Sequence, residues 1–165
     1  MPRQGRPPFR HPYRLSSDRY EQLLQPVFFT LATERRRPFL TRDGVPETVL
    51  HIFAEQAILH SCALIAWCVM PDHVHLLACV VEQGGSVKAY IDSAKALSGH
   101  ALTGLGLSAP IWQRSYFDRH ARAQDDVAEI VRYILQNPVE AGLCDDADDW
   151  PFSGFRGWPL PTSDG

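Results

Sequence analysis

Between residues 63 and 81 the chain sets two apolar runs end to end, Ala63-Leu64-Ile65-Ala66-Trp67-Cys68-Val69-Met70 and His73-Val74-His75-Leu76-Leu77-Ala78-Cys79-Val80-Val81, with only Pro71-Asp72 between them. A proline–aspartate pair marks a turn and denies the two runs one continuous helix. Their β-branched and aromatic content then reads as two strands of an antiparallel hairpin. This hairpin fixes the centre of any fold the chain can take.

The flanking segments supply the other elements. Val27-Phe28-Phe29-Thr30-Leu31-Ala32-Thr33 reads as a strand that exits into the charged turn Glu34-Arg35-Arg36-Arg37-Pro38. Val49, Leu50, Phe53, Ala57, Ile58 and Leu59 recur at helical spacing, and Pro46 suits a first helical turn, so residues 46–60 are predicted helical. Gly84-Gly85 breaks the chain after the hairpin, and Ser86 can cap a second helix over about 87–103. Residues 111–122 hold a fourth strand, the least marked element. A third helix starts near Asp125-Asp126 with Ile130, Val131, Ile134 and Leu135 on its apolar face, and Asn137-Pro138 marks its end or a kink. The order strand, helix, hairpin, helix, strand gives an α+β, ferredoxin-like β-α-β-β-α-β core, with helices on one face and an added C-terminal helix. The expected organisation is a basic arm over 1–24, one domain over 25–157 and a tail over 158–165.

Charge narrows the function. The net charge is −3, which excludes a uniformly basic protein that coats nucleic acid. The charge is unevenly placed, however: residues 1–42 hold nine Lys and Arg against three Asp and Glu, and the rest hold seven against sixteen. A basic arm that neutralises phosphate is therefore compatible with the total, as is a solvated tail. No apolar stretch approaches the ~20 residues that span a bilayer, and no signal-peptide core follows the basic N-terminus. Cys62, Cys68, Cys79 and Cys144 show no CxxC spacing and read as reduced thiols, mostly buried. The compartment expected is the cytoplasm, at the nucleoid.

Two constellations can carry chemistry. His73 and His75 project from one face of a strand, and two neutral imidazoles at that spacing can hold one divalent ion. The same pair can equally be two packed histidines, and spacing alone leaves both open. A histidine-triad hydrolase needs a third imidazole on that face, where Leu77 stands, and no GxxxxGK[ST] loop is present. On the third helix, Tyr133 and Asn137 are four residues apart and share a face. A tyrosine hydroxyl, with pKa ~10, needs a neighbouring charge or metal to become a nucleophile.

Trp67-Cys68-Val69-Met70-Pro71-Asp72-His73-Val74-His75-Leu76-Leu77 resembles the signature of single-tyrosine HUH transposases. Ile111-Trp112-Gln113-Arg114-Ser115-Tyr116-Phe117-Asp118-Arg119, Tyr133-Ile134-Leu135-Gln136-Asn137-Pro138-Val139 and Trp150-Pro151-Phe152-Ser153 resemble the REP-associated branch, the proteins linked to repetitive extragenic palindromes in bacteria. The similarity covers about residues 25–157. It implies His73 and His75 as ligands of Mg²⁺ or Mn²⁺, and Tyr133 as nucleophile. Asn137 would be the third ligand, standing where related insertion-sequence transposases carry a glutamine; it keeps the amide oxygen on a shorter arm. Tyr116 is the competing nucleophile, in the strand-like segment rather than on the helix. The activity implied is cleavage and rejoining of single-stranded hairpin DNA through a 5′-phosphotyrosine, with a silent DNA-binding regulator on the same fold as the alternative. Arg14, Arg35, Arg36, Arg37, Arg114 and Arg119 are the expected DNA-backbone contacts. Trp112, Tyr116 and Phe117 can stack on bases or pack in the core.

Overall fold

The computed structural model describes residues 20–122 and 124–158. Its elements in chain order are β1 (Val27–Ala32), α1 (Val45–Leu59), β2 (Cys62–Val69), β3 (His73–Val80), α2 (Val87–Gly104), β4 (Phe117–His120), α3 (Gln124–Glu140) and β5 (Ser153–Phe155). The strands form one sheet in the order β4-β1-β3-β2-β5, and every neighbouring pair is antiparallel. The first four strands and two helices give the ferredoxin-like core, with the hairpin β2–β3 beside β1 as the apolar runs require.

Alternation of side chains along β3 divides the molecule into two layers. Val74, Leu76, Ala78 and Val80 join Val49 and Phe53 of α1 and Tyr90, Ile91 and Ala94 of α2 in one apolar cluster. Leu77 and Cys79 face the other way and pack with Phe28, Ile65, Cys68 and, from α3, Val127, Ile130 and Ile134. All eight residues of β3 are buried because both faces of the sheet are covered. The third helix thus lies alone opposite the α1–α2 pair.

Local signals account for the helix ends. Gly44 precedes α1 in the left-handed region (φ 78°), where glycine carries no Cβ penalty, and Pro46 sits in the first turn. The Ser86 hydroxyl caps α2 by accepting from the Ala89 N–H at 3.2 Å. Pro138 does not end α3, which runs on to Glu140. A proline there removes one N–H close to the helix end, and the last turn is still closed by Ala141 N–H to the Asn137 carbonyl (3.0 Å) and Leu143 N–H to the Pro138 carbonyl (2.9 Å).

Two further features were not legible in the chain, and a third decides between two readings of it. β5 pairs with β2 at Ala66, Trp67 and Cys68, and Gly154 lies so close under the Trp67 indole that an added Cβ would meet it at 2.3 Å. The stretch before β1 also joins the body: Tyr20 is buried with its hydroxyl donating to Asp118, and the Leu24 N–H bonds the Val80 carbonyl at 2.8 Å. Trp112 is buried, while Tyr116 packs on Phe29 and Phe117 on Phe28, so these rings serve the core rather than a stacking platform.

Gly85 marks a tight corner. A Cβ there would lie 2.8 Å from Val80 Cγ1, 2.9 Å from the His60 carbonyl oxygen and 3.0 Å from that of Ser61. Two backbone oxygens cannot turn aside as a side chain can. Gly85→Ala is expected to destabilise the fold by about 1–3 kcal/mol, read as a lower urea midpoint with an unchanged slope; an unchanged midpoint would refute the tight corner.

Candidate active site

The site is built on the row of side chains that β3 points toward α3. Register sets Ala32 opposite His73 and Thr30 opposite His75 on β1, with Cys68 opposite His75 on β2. Both imidazoles are buried, at 4% and 3% exposure. Their Nε2 atoms face each other at 3.1 Å, and each Nδ1 turns to a partner: His73 to Asp72 Oδ1 at 2.7 Å, His75 to Thr30 Oγ1 at 2.9 Å. Phe28 stacks on His75 with ring centroids 5.5 Å apart.

The turn carrying Asp72 is gripped from β1. The Thr33 N–H and hydroxyl both donate to the Asp72 carbonyl, at 3.0 and 3.1 Å, and the Leu40 N–H donates to the Pro71 carbonyl at 2.9 Å. Arg36 then reaches back, with Nε 3.1 Å from Asp72 Oδ2. To do so Arg35 and Arg36 take left-handed conformations, with φ of 56° and 54°. Each costs roughly 1–2 kcal/mol for a residue with a Cβ, so this loop holds strain directly beside the histidines.

From the opposite layer, α3 brings Tyr133, whose ring centroid lies 5.3 Å from that of His75 and 5.9 Å from that of Phe28. Asn137, buried one turn on, makes a side-chain hydrogen bond to Tyr133. Burial raises the Tyr133 pKa, the Asn137 bond pulls it back, and Glu140 adds a smaller upward push. Tyr116 lies on the other side of the sheet, against Phe29 and hydrogen-bonded to Asp92 at 3.4 Å.

Burial above all, and then His73 and Arg36, hold the His75 pKa well below 6.5. His75 is therefore neutral in the folded chain at neutral pH, as a ligand must be. The unfolded chain binds the extra proton first as pH falls, so stability is full above about 6.5 and declines below it. Unfolding midpoints at pH 7.5 and 5.5 should show that decline, and His75→Gln should reduce it; equal pH slopes for the two proteins would refute the assignment.

The arginines expected to meet DNA divide. Arg35 and Arg114 are exposed. Arg36 is engaged with Asp72, and Arg119 pairs with Asp126 at 3.1 Å. Arg37 donates to the carbonyls of Glu34, Ser108 and Pro110 and lies over the Phe39 ring, as a brace between two loops. Arg14 lies outside the described residues. Asp72, Thr30 and Phe28 lie around the histidines; the sequence marked them as turn and strand residues within segments that fit the family resemblance, without a role of their own.

The donors suit a divalent ion. Both Nε2 atoms converge at 3.1 Å, close to the ~3 Å that separates adjacent ligands on an octahedral ion with ~2.1 Å bonds. A carboxylate behind His73 is the usual partner of a ligating imidazole. Among the described residues no group of three or more His, Cys, Asp or Glu is assembled to hold a metal; an Asn amide oxygen is a donor of another type.

Fold and site together define a class. The profile of the family described as "Transposase IS200 like" matches residues 25–137, and the chain belongs to that family. Its relatives include the REP-associated tyrosine transposase of Escherichia coli K12, 33% identical over 129 residues that cover 78% of this chain and 75% of the relative. A Haemophilus influenzae protein described as a candidate of the same kind is 26% identical and covers 78% of each chain. A REP-associated tyrosine transposase solved bound to a REP hairpin superposes with a TM-score of 0.72 at 28% identity, covering 87% of this chain and 82% of that one. The branch resemblance read from the sequence is thereby borne out, as is the ferredoxin-like fold. No described helix is long and apolar enough to cross a membrane.

Proposed function

We propose that the chain is a strand transferase that cleaves and rejoins single-stranded DNA at palindromic hairpins, with Tyr133 as nucleophile. The observation that carries this reading is the Tyr133 ring of α3 set against His75 of the His73–His75 pair on β3, with Asn137 bonded to Tyr133. His73, His75 and Asn137 would hold a divalent cation, Mg²⁺ or Mn²⁺, which when bound offsets negative charge developing on the scissile phosphate. The Tyr133 oxygen attacks phosphorus in line. Its bond to phosphorus forms as the bond to the 3′-oxygen breaks, leaving a 5′-phosphotyrosine and a 3′-hydroxyl. The phenol loses a proton and the departing oxygen gains one, so one phosphoester replaces another and no nucleoside triphosphate is needed.

The Asn137 amide steadies the phenolate as it forms, and the stacked Phe28 and His75 rings fix the tyrosine ring in place. Hairpin DNA as substrate is supported by the relative solved on a REP hairpin. Exposed Arg35 and Arg114 fit backbone contacts, which would show as salt-dependent affinity. The test is incubation of a 5′- and 3′-labelled single-stranded hairpin with the full chain and Mg²⁺ or Mn²⁺. A covalent protein–DNA band carrying the 3′ fragment is expected. Hairpin binding with no such band under either metal would turn the reading to a silent DNA-binding regulator.

A further inference from the structure

We propose that a second pocket, on the α1–α2 side of the sheet, holds one unpaired nucleotide of the substrate strand away from the reacting phosphate. This deepens the proposed reading and rests on it for hairpin DNA as the substrate.

The pocket lies between the second half of α2 and the segment 109–114, and its volume is about 440 Å³. That falls within the ~300–1,000 Å³ usual for sites that enclose a small ligand. A base inside a duplex is stacked and cannot enter such a pocket, so the occupant is an unpaired one.

The floor is kept open by a glycine. Gly99 stands inside α2, where glycine is less stable than alanine. A Cβ there would meet nothing nearer than Trp112 Cδ1 at 3.8 Å and Ile111 Cβ at 4.0 Å, which is ordinary contact. Neither a clash nor a left-handed backbone accounts for this glycine, and its effect is to leave the pocket deep. The facing wall is firm. Trp112 Nε1 donates to Ser98 Oγ at 2.9 Å, and Lys95 Nζ donates to the carbonyls of Gln113 and Arg114 at 2.7 and 3.3 Å.

The polar groups of the lining match a nucleotide. Among the described residues no carboxylate lines the pocket, whereas His100, Gln113 and Arg114 do. Among the described residues these three side chains have no hydrogen-bond or ion-pair partner. Arg114 and His100 supply N–H donors for a phosphate. Gln113 offers one donor and one acceptor to a base edge, a pair that adenine answers with N7 and N6–H₂.

The pocket reaches the histidines round one end of the sheet. The Gln113 N–H donates to the Ala32 carbonyl at 2.9 Å, and Ala32 lies opposite His73. The backbones of Gln113 and His73 are thus two strand spacings apart, about 10 Å. The Glu34 N–H donates to the Ile111 carbonyl at 2.8 Å, and exposed Arg35 follows on that bend. A DNA strand leaving the histidines passes Arg35 on its way to the pocket.

The experiment measures hairpin affinity of the full chain by fluorescence anisotropy in EDTA, so that no cleavage intervenes. A labelled hairpin with single-stranded adenine flanks is compared with copies carrying one abasic site at each flank position in turn. One position is expected to cost the wild type about tenfold or more. Gly99→Leu fills the pocket and should bind the intact DNA about that much more weakly, with no further loss at that abasic site. Gln113→Ala should erase the preference for adenine over thymine there. Wild-type affinity in Gly99→Leu, an abasic loss as large in Gly99→Leu as in wild type, or an adenine preference that survives Gln113→Ala would overturn the proposal. If Gly99→Leu fails to fold, Gln113→Ala decides alone. Binding of free dAMP that Gly99→Leu abolishes, with no flank position mattering, would assign the pocket to a free nucleotide and overturn the strand. A chain that shows the expected pattern yet forms no covalent band loses the strand-transfer reading and keeps the pocket; a band with a flat abasic scan does the reverse.

Discussion

Tyr133→Phe is expected to eliminate the covalent protein–DNA band and to lower single-strand cleavage by at least about a thousandfold, because it removes the oxygen proposed to attack phosphorus. The substitution leaves a ring of the same shape against His75 and Phe28, 5.3 and 5.9 Å away by centroid. It forfeits only the hydroxyl and its bond with Asn137, so stability should change by no more than about 1 kcal/mol. Tyr116→Phe is the matching control. That ring packs on Phe29, in the layer of α1 and α2, and its hydroxyl meets Asp92 rather than either histidine. The band should survive in Tyr116→Phe. A band that persists in Tyr133→Phe and vanishes in Tyr116→Phe would reverse the assignment.

The second large effect is expected at Phe28, where core and site share one side chain. Phe28 is fully buried, stacks on His75, and meets Tyr133 and Phe117 edge to face. Truncating a buried phenylalanine leaves a cavity in addition to the lost transfer energy, so Phe28→Ala should destabilise the chain by about 3–5 kcal/mol. Phe28→Leu fills most of that space and should cost about 1 kcal/mol, yet it removes the flat surface that orients His75 and the edge contact to Tyr133. We therefore expect the leucine variant to fold, to bind hairpin DNA normally, and to cleave it at least tenfold more slowly. Equal losses in binding and cleavage would mean that Phe28 contributes packing alone.

The sequence disclosed the central features of this arrangement for identifiable reasons. The hairpin was legible because Pro71-Asp72 interrupts two apolar runs, and strand periodicity then put His73 and His75 on one face with Val74 turned the other way. Helical periodicity put Asn137 on the same side of α3 as Tyr133. The extent of α3 was not legible: a proline reads as a terminator, yet so near the helix end it removes only one N–H, and the local backbone bonds of residues 141 and 143 still close the last turn. β5 was hidden because three residues, Ser-Gly-Phe, are too few to show alternation. Asp72 and Thr30 were hidden because their roles depend on register and on a turn folded back by Arg36, and pairing register is not written in either strand alone.

That register bears on how such a chain can change over generations. Gaining or losing one residue within β3 would exchange the histidines for Val74 and Leu76, driving two imidazoles under α1 and α2 and two aliphatic groups into the cleft. Unless a bulge absorbed the change, as the irregularity between Leu64 and Ala66 does on β2, fold and chemistry would be lost in the same event. Substitution at Tyr133 or Asn137, by contrast, touches a helix that stands alone on its layer and leaves the rest of the body intact. A descendant that has stopped cutting DNA but still folds should therefore keep its strand lengths unaltered and carry its loss as point changes on α3, a pattern by which retired and working copies of this chain can be told apart.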